Sequence, residues 1–106
     1  MSSKNPPAMA DKTDIINEIT THIHSYGGIF SSWYCGITDD SHKRLFTDHN
    51  VSEDHGIYIA RTAQNGTDAE MIEKFFHEKG CEGAASGRNE QSKVVYAYLM
   101  TSSTNP

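Results

Sequence analysis

Three strand-like runs, set apart by helix-length stretches, constrain this chain more than any other feature. "IFSSWYCGI" (29–37), "GIYIART" (56–62) and "KVVYAYLM" (93–100) are rich in aromatic and β-branched residues and have the length of strands. The connections between them are too long for tight hairpins. Both connections, and the stretch before the first run, carry helical signals. "DKTDIINEITTHIHSYGG" spaces Ile15, Ile19, Ile23 and Tyr26 at intervals of three and four. Asp11 or Thr13 can cap its start, and Gly27 and Gly28 end it. "DDSHKRLFTDHN" opens on the capping residues Asp39, Asp40 and Ser41 and closes at Asn50, which predicts a short helix. "TDAE" (67–70) reads as a capping box of Thr67 and Glu70, opening a third helix that runs to Lys79 and stops at Gly80.

The predicted order is therefore α-β-α-β-α-β. The expected fold class is α+β: a small three-stranded, mainly antiparallel sheet with about three helices near 13–26, 40–49 and 68–79, covered mainly on one face. At 106 residues the chain accommodates one domain, expected over 11–101, with a loose tail at 1–10 and a short tail at 102–106. No apolar run is long enough to span a bilayer, and "MSSKNPPAMADKTD" lacks the apolar segment of a signal peptide. No membrane partner and a cytoplasmic location are the expectations. Cys35 and Cys81 match no zinc spacing and form a poor disulfide framework, so both are expected reduced. A net charge of −5 argues against broad nonspecific affinity for nucleic acid, while leaving room for a local basic patch.

Candidate functional residues cluster around the first strand and the helix after it. Period two puts Phe30, Ser32, Tyr34 and Gly36 on one strand face and Trp33, Cys35 and Ile37 on the other. Gly36 beside an aromatic marks a close backbone approach or a kink. Arg44 sits about one turn into the next helix, where a phosphate near the strand end would meet helix N–H groups and a guanidinium together. The competing reading makes Tyr34 a core residue and pairs Arg44 with Asp40 or Asp48 on a solvated face.

Glu73 borders the apolar stripe of Ala69, Ile72 and Phe76. A carboxylate there suits a hard cation, which wants oxygen ligands and keeps several waters. The alternative is a surface Glu whose methylenes cover the core edge. The small-residue loop "GAASGRNE", with Gly83, Gly87 and Asn89 permitting φ > 0, could let backbone and the Asn89 amide approach a phosphate, or be a plain turn. Of the six histidines only His49 follows Arg44 closely enough to join a site, although five residues rotate it away on an ideal helix. Cys35 has no His or Asp at a spacing that would make it a nucleophile.

Taken in order, "YCG" (34–36), the arginine of "KRLF", the glutamate of "AEMIEKFF" and the asparagine of "GRN" resemble the motifs of the GIY-YIG nucleases. The likeness covers roughly residues 30 to 90. The first GIY motif should precede "YCG" by a hairpin, and only "GIF" (28–30) stands upstream; the literal "GIY" at 56–58 falls after the arginine helix. The last strand could fill the vacant place beside "WYCGI", with Tyr96 or Tyr98 supplying the missing tyrosine.

The resemblance implies a metal-dependent DNA endonuclease that hydrolyses phosphodiester bonds. In that reading Tyr34, Arg44, His49, Glu73, Asn89 and Tyr96 form the catalytic set, and Glu73 holds one Mg²⁺ or Mn²⁺. Arg44 offsets charge on the scissile phosphate, Tyr34, Tyr96 or His49 orients or deprotonates the water, and Asn89 fixes the phosphate or the glutamate. DNA would be the partner, and a chain this small would select its target through a homodimer, a protein partner or an unusual DNA structure. The alternative is a catalytically inactive module of the same fold that binds DNA or protein, which the acidic balance favours.

Overall fold

The computed structural model describes residues 11–83 and 92–106. The architecture is the expected α+β fold. A single three-stranded antiparallel sheet is built from β1 (Trp33–Thr38), β2 (Tyr58–Thr62) and β3 (Val94–Leu99), with α1 (Lys12–Ser25) before it and α2 (Gly66–Lys79) between β2 and β3. The strand order is β1-β3-β2, so the strand last in sequence is the central one. A 3₁₀ turn, Phe30–Ser32, leads into β1.

Both long helices cover the same sheet face. Ile15, Ile19 and Ile23 of α1 and Ala69, Ile72 and Phe76 of α2 join Trp33, Cys35, Ile37, Ile59, Val95 and Ala97 in one buried core. These strand residues alternate with a second set, Tyr34, Tyr58, Ala60, Tyr96 and Tyr98, which turns to the opposite face and packs with Leu45 and Val51.

The helix ends follow capping chemistry. Asp11 accepts the Thr13 N–H at 3.1 Å and starts α1. The capping-box expectation at Thr67 is corrected: Asn65 caps α2, accepting the Asp68 N–H at 2.8 Å, because its Oδ1 reaches the same orphan donors one residue before the helix. Gly80 ends α2 with φ +117°, a left-handed conformation that a Cβ would strain.

The expected helix over 40–49 is largely replaced by a π-helical turn, Lys43–Asp48. Asp40 opens it, accepting the Lys43 N–H on Oδ1 and the Arg44 N–H on its carbonyl, both at 3.1 Å. The His49 N–H then donates to Arg44 O at 2.8 Å, an i→i−5 bond. Asn50, with φ +57°, takes the left-handed conformation that lets the chain leave the turn.

The edges of the sheet are occupied or capped. Tyr34 makes a parallel bridge with Glu82, whose N–H donates to Trp33 O at 2.8 Å and whose carbonyl accepts the Cys35 N–H at 2.9 Å. On the far edge, Arg61 Nη1 donates to Ala60 O at 2.8 Å and Nε pairs with Glu18 at 2.6 Å. Such capping keeps an edge strand from recruiting another chain. Cys35 and Cys81 are both buried and free. Among the described residues no helix is long and apolar enough to cross a membrane.

Candidate functional site

The sheet face turned away from α1 and α2 carries Tyr34, Tyr96 and Tyr98 side by side on β1 and β3, with Tyr58 beyond them on β2. Antiparallel pairing of β1 with β3 sets Tyr34 opposite Tyr98 and Gly36 opposite Tyr96. The Tyr34 ring stacks on Tyr98 with centroids 5.3 Å apart and on Tyr96 at 6.3 Å. Gly36 explains the close approach: a Cβ there would lie 2.6 Å from the Tyr96 hydroxyl oxygen and 2.7 Å from Cζ. The Tyr96 ring lies over the bare glycine backbone, and this contact is what places its hydroxyl.

The π-helical turn brings His49 onto this face. An α-helix would send residues five apart to different sides, whereas the wider π turn brings Arg44 and His49 nearly into register along one side. Leu45, 2% exposed, anchors the turn in the tyrosine cluster. The His49 ring, 5% exposed, lies 4.6 Å from the Tyr34 ring and 4.9 Å from that of Tyr98. His49 Nε2 is hydrogen-bonded to the Tyr96 hydroxyl at 2.8 Å, and Nδ1 to the Asn105 carbonyl oxygen at 2.6 Å. The Tyr98 hydroxyl stands 3.0 Å from Nδ1 and donates to the same carbonyl at 3.4 Å. Asn105 belongs to the C-terminal tail, which here docks on the site.

Burial lowers the pKa of His49, reinforced by the Arg44 charge and opposed by the Asn105 hydrogen bond and by Asp48. The shift favours the neutral form of the ring. Burial, with Tyr34 beside each, raises both Tyr96 and Tyr98, so neither is a ready source of phenolate. Tyr96 and Tyr98 are 1% and 0% exposed. Tyr34 is only partly buried, and the Arg44 side chain is 37% exposed. The groups that meet solvent are therefore Tyr34 and Arg44, with His49, Tyr96 and Tyr98 behind them. Arg44 Nε pairs with Asp48 at 3.5 Å, and Lys43 reaches the same carboxylate at 3.3 Å.

Of the residues singled out from the sequence, Tyr34, Arg44, His49 and Tyr96 come together here. Glu73 projects from α2, which packs its apolar residues against the Cys35 face. It is 9% exposed, and burial raises its pKa against the opposing influence of His77. Among the described residues its carboxylate has no ion pair. His77 Nε2–H donates to Cys35 O at 3.0 Å, and a Cβ on Gly83 would overlap that bond. Gly83 is not among the described glycines with positive φ, so its role is close packing rather than a turn. Asn89 lies outside the described residues.

Magnesium and manganese take oxygen ligands and retain several waters, so one carboxylate together with phosphate oxygens can seat such an ion. Glu73 does not stand where it could share such an ion with a phosphate on the tyrosine face: its helix packs on the opposite face of the sheet, and burial there favours its protonated form. Among the described residues no three His, Cys, Asp or Glu side chains group into a metal cage. No protein-family model matches the chain, and no curated protein or solved structure is significantly similar to it.

Sequence reasoning offered Tyr96 or Tyr98 as the neighbour of Tyr34 without deciding between them, and it did not reach Asn105 as the partner of His49. The first was open in the period-two pattern, which puts Tyr96 and Tyr98 on one face without fixing register. The second left no sequence signal, because a backbone carbonyl is common to every residue.

Proposed function

We propose that the Tyr34 face binds a phosphodiester of DNA and that the chain is a divalent-metal-dependent endonuclease. The observation that carries this reading is the Tyr34–His49–Tyr96 cluster, stacked and hydrogen-bonded within electrostatic reach of Arg44. Hydrolysis of a phosphodiester needs a polarised phosphate, a positioned water and stabilisation of the departing oxygen. Arg44, partly exposed and paired at the surface with Asp48, exchanges it for a phosphate oxygen and offsets the charge that develops in the transition state. Tyr34 presents its phenol to the phosphate or to the water. His49 and Tyr96 hold Tyr34 from behind and supply a neutral imidazole coupled to a hydroxyl, the arrangement that orients a proton-transfer step. Glu73 is the carboxylate that this reading assigns to one Mg²⁺ or Mn²⁺, although its helix packs on the sheet face opposite the tyrosines.

A second reading is an inactive module of the same fold that binds DNA or protein. It is favoured by two observations: Arg44 is already engaged by Asp48, and Glu73 belongs to the helix packed on the face opposite the tyrosines. Incubating the purified chain with single-stranded, double-stranded and branched DNA separates the two. Cutting with Mg²⁺ or Mn²⁺, absent with chelator and lost in Glu73→Gln, is the expected result. DNA left intact under every condition, with binding retained, makes the chain a binding module.

A further inference from the structure

We propose that the segment 101–106 is a positioning element for the site, its Asn105 backbone fixing His49 as the Nδ1–H tautomer so that Nε2 is the atom offered to Tyr96.

The segment is built to do this. The Met100 N–H donates to Ser32 O at 2.9 Å, which ties the segment to the entry of β1. A self-contained turn follows: the Thr101 N–H donates to Thr104 Oγ1 at 3.0 Å, and that hydroxyl donates back to Thr101 O at 3.0 Å. Ser103 N–H closes the turn on Thr101 Oγ1 at 3.2 Å. Asn50 Nδ2 donates to Ser103 O at 3.0 Å, anchoring the turn to the exit of the π-helical segment. Asn105 then engages His49 at two points. Its N–H donates to His49 O at 2.7 Å, satisfying a carbonyl left open at the end of the helical turn, and its carbonyl takes the ring proton at 2.6 Å.

The tautomer follows from the chemistry of that carbonyl. It has lone pairs and no hydrogen, so at 2.6 Å the facing nitrogen must bring the proton. An unprotonated Nδ1 would set two lone pairs against each other. With the proton on Nδ1, neutral His49 has one acceptor left, Nε2, and Tyr96 O–H is its donor at 2.8 Å. Without the segment nothing else described here selects this tautomer: the Tyr98 hydroxyl can donate to Nδ1 or accept from it equally well. The catalytic value of the arrangement rests on the hydrolase reading above; the tautomer does not.

The test is long-range proton–nitrogen correlation on chains with ¹⁵N-labelled histidine, recorded without DNA. In the full chain at neutral pH, His49 Nδ1 is expected at the protonated and Nε2 at the unprotonated position. In a chain ending at Thr101, the Nδ1–H population should fall and the Nε2 signal should move toward the protonated position. If that chain does not fold, a chain ending at Thr104, which keeps the Thr101–Thr104 turn and removes the Asn105 carbonyl, should produce the same shift. A proton on Nε2 in the full chain overturns the proposal, as does an unchanged tautomer in the folded variant. Because the spectra need no substrate, a chain that cuts no DNA leaves this inference standing, and a chain that cuts DNA does not rescue it.

Discussion

Tyr34 and Tyr98 stand directly opposite each other across β1 and β3, their rings 5.3 Å apart and 20° from parallel. The pair joins a partly exposed ring to a fully buried one, so what happens at the surface of the site is coupled to the packing of the sheet. Tyr98 in turn touches His49 and the Asn105 carbonyl. Disturbing the buried layer should therefore be felt at Tyr34, and the predictions below start there.

Gly36→Ala should destabilise the fold by about 1–3 kcal/mol, the usual cost of forcing extra atoms into a packed interior. The new methyl would overlap the Tyr96 hydroxyl, and Tyr96 is too buried to swing aside. Urea unfolding measures the loss. The same variant should lengthen the Tyr96–His49 bond and shift the His49 ring resonances.

His49→Ala should cost more than Tyr96→Phe. The first leaves two buried hydroxyls and a carbonyl without their histidine partner; the second leaves only the Nε2 acceptor. Each stranded buried group costs about 1–3 kcal/mol. In a double-mutant cycle, the two substitutions should couple by more than about 0.5 kcal/mol, since they share one bond. Additive effects would show that the bond contributes nothing net.

The pH dependence of stability should show two opposed limbs. The folded pKa of His49 lies below its ordinary value of 6.5, so as pH falls through 6.5 the unfolded chain takes up the proton first and stability declines until the folded pKa is passed. The folded pKa of Glu73 lies above its ordinary value of 4.5, so the folded chain holds that proton longer and stability declines as pH rises from 4.5 through the folded pKa. Glu73→Gln should therefore be more stable than the parent at pH 7 and should lack the second limb. Denaturation midpoints across pH 4 to 8 for parent and variant check both signs.

Arg44→Ala should separate stability from activity. Its pair with Asp48 is solvent-exposed, and such pairs contribute about 0.2–1 kcal/mol. If the endonuclease reading holds, removing a group that faces transition-state charge should lower cleavage by about 10²–10³-fold. Equal, small losses in both would make Arg44 a surface ion pair and nothing more.

Much of this fold can be read from residue pattern alone. The isoleucine spacing of α1 and the period-two runs of the strands correspond to real buried faces, because burial is what selects those patterns. The pairing of the last strand with the first also agrees with expectation. The π-helical turn is different. Its sequence carries ordinary helix caps, and the i→i−5 bond arises from tertiary fit: Leu45 must reach the sheet while His49 reaches Asn105. Read as an α-helix, the segment turns His49 away from Arg44, and the centre of the site is lost. The docking of 101–106 is equally silent, since it is made largely through backbone atoms and small hydroxyls. Glu73 shows the converse limit: its place at the edge of the apolar stripe is legible, while which sheet face that stripe covers is not.

The strand order has a consequence for how the molecule comes into being. β1 and β2 never pair with each other; each is joined to the sheet only through β3, more than thirty residues later in the chain in both cases. During synthesis both strands leave the ribosome before their central partner, and the stretch around Trp33 and Tyr34 has only its bridge to Glu82 available until Val94–Leu99 emerges. Nearly all strand pairing must then form at once between distant segments, which slows folding and favours capture of the nascent chain by other unpaired strands. The central strand acts as a late keystone, and damage to it should lower the yield of folded chain well before it changes the finished structure.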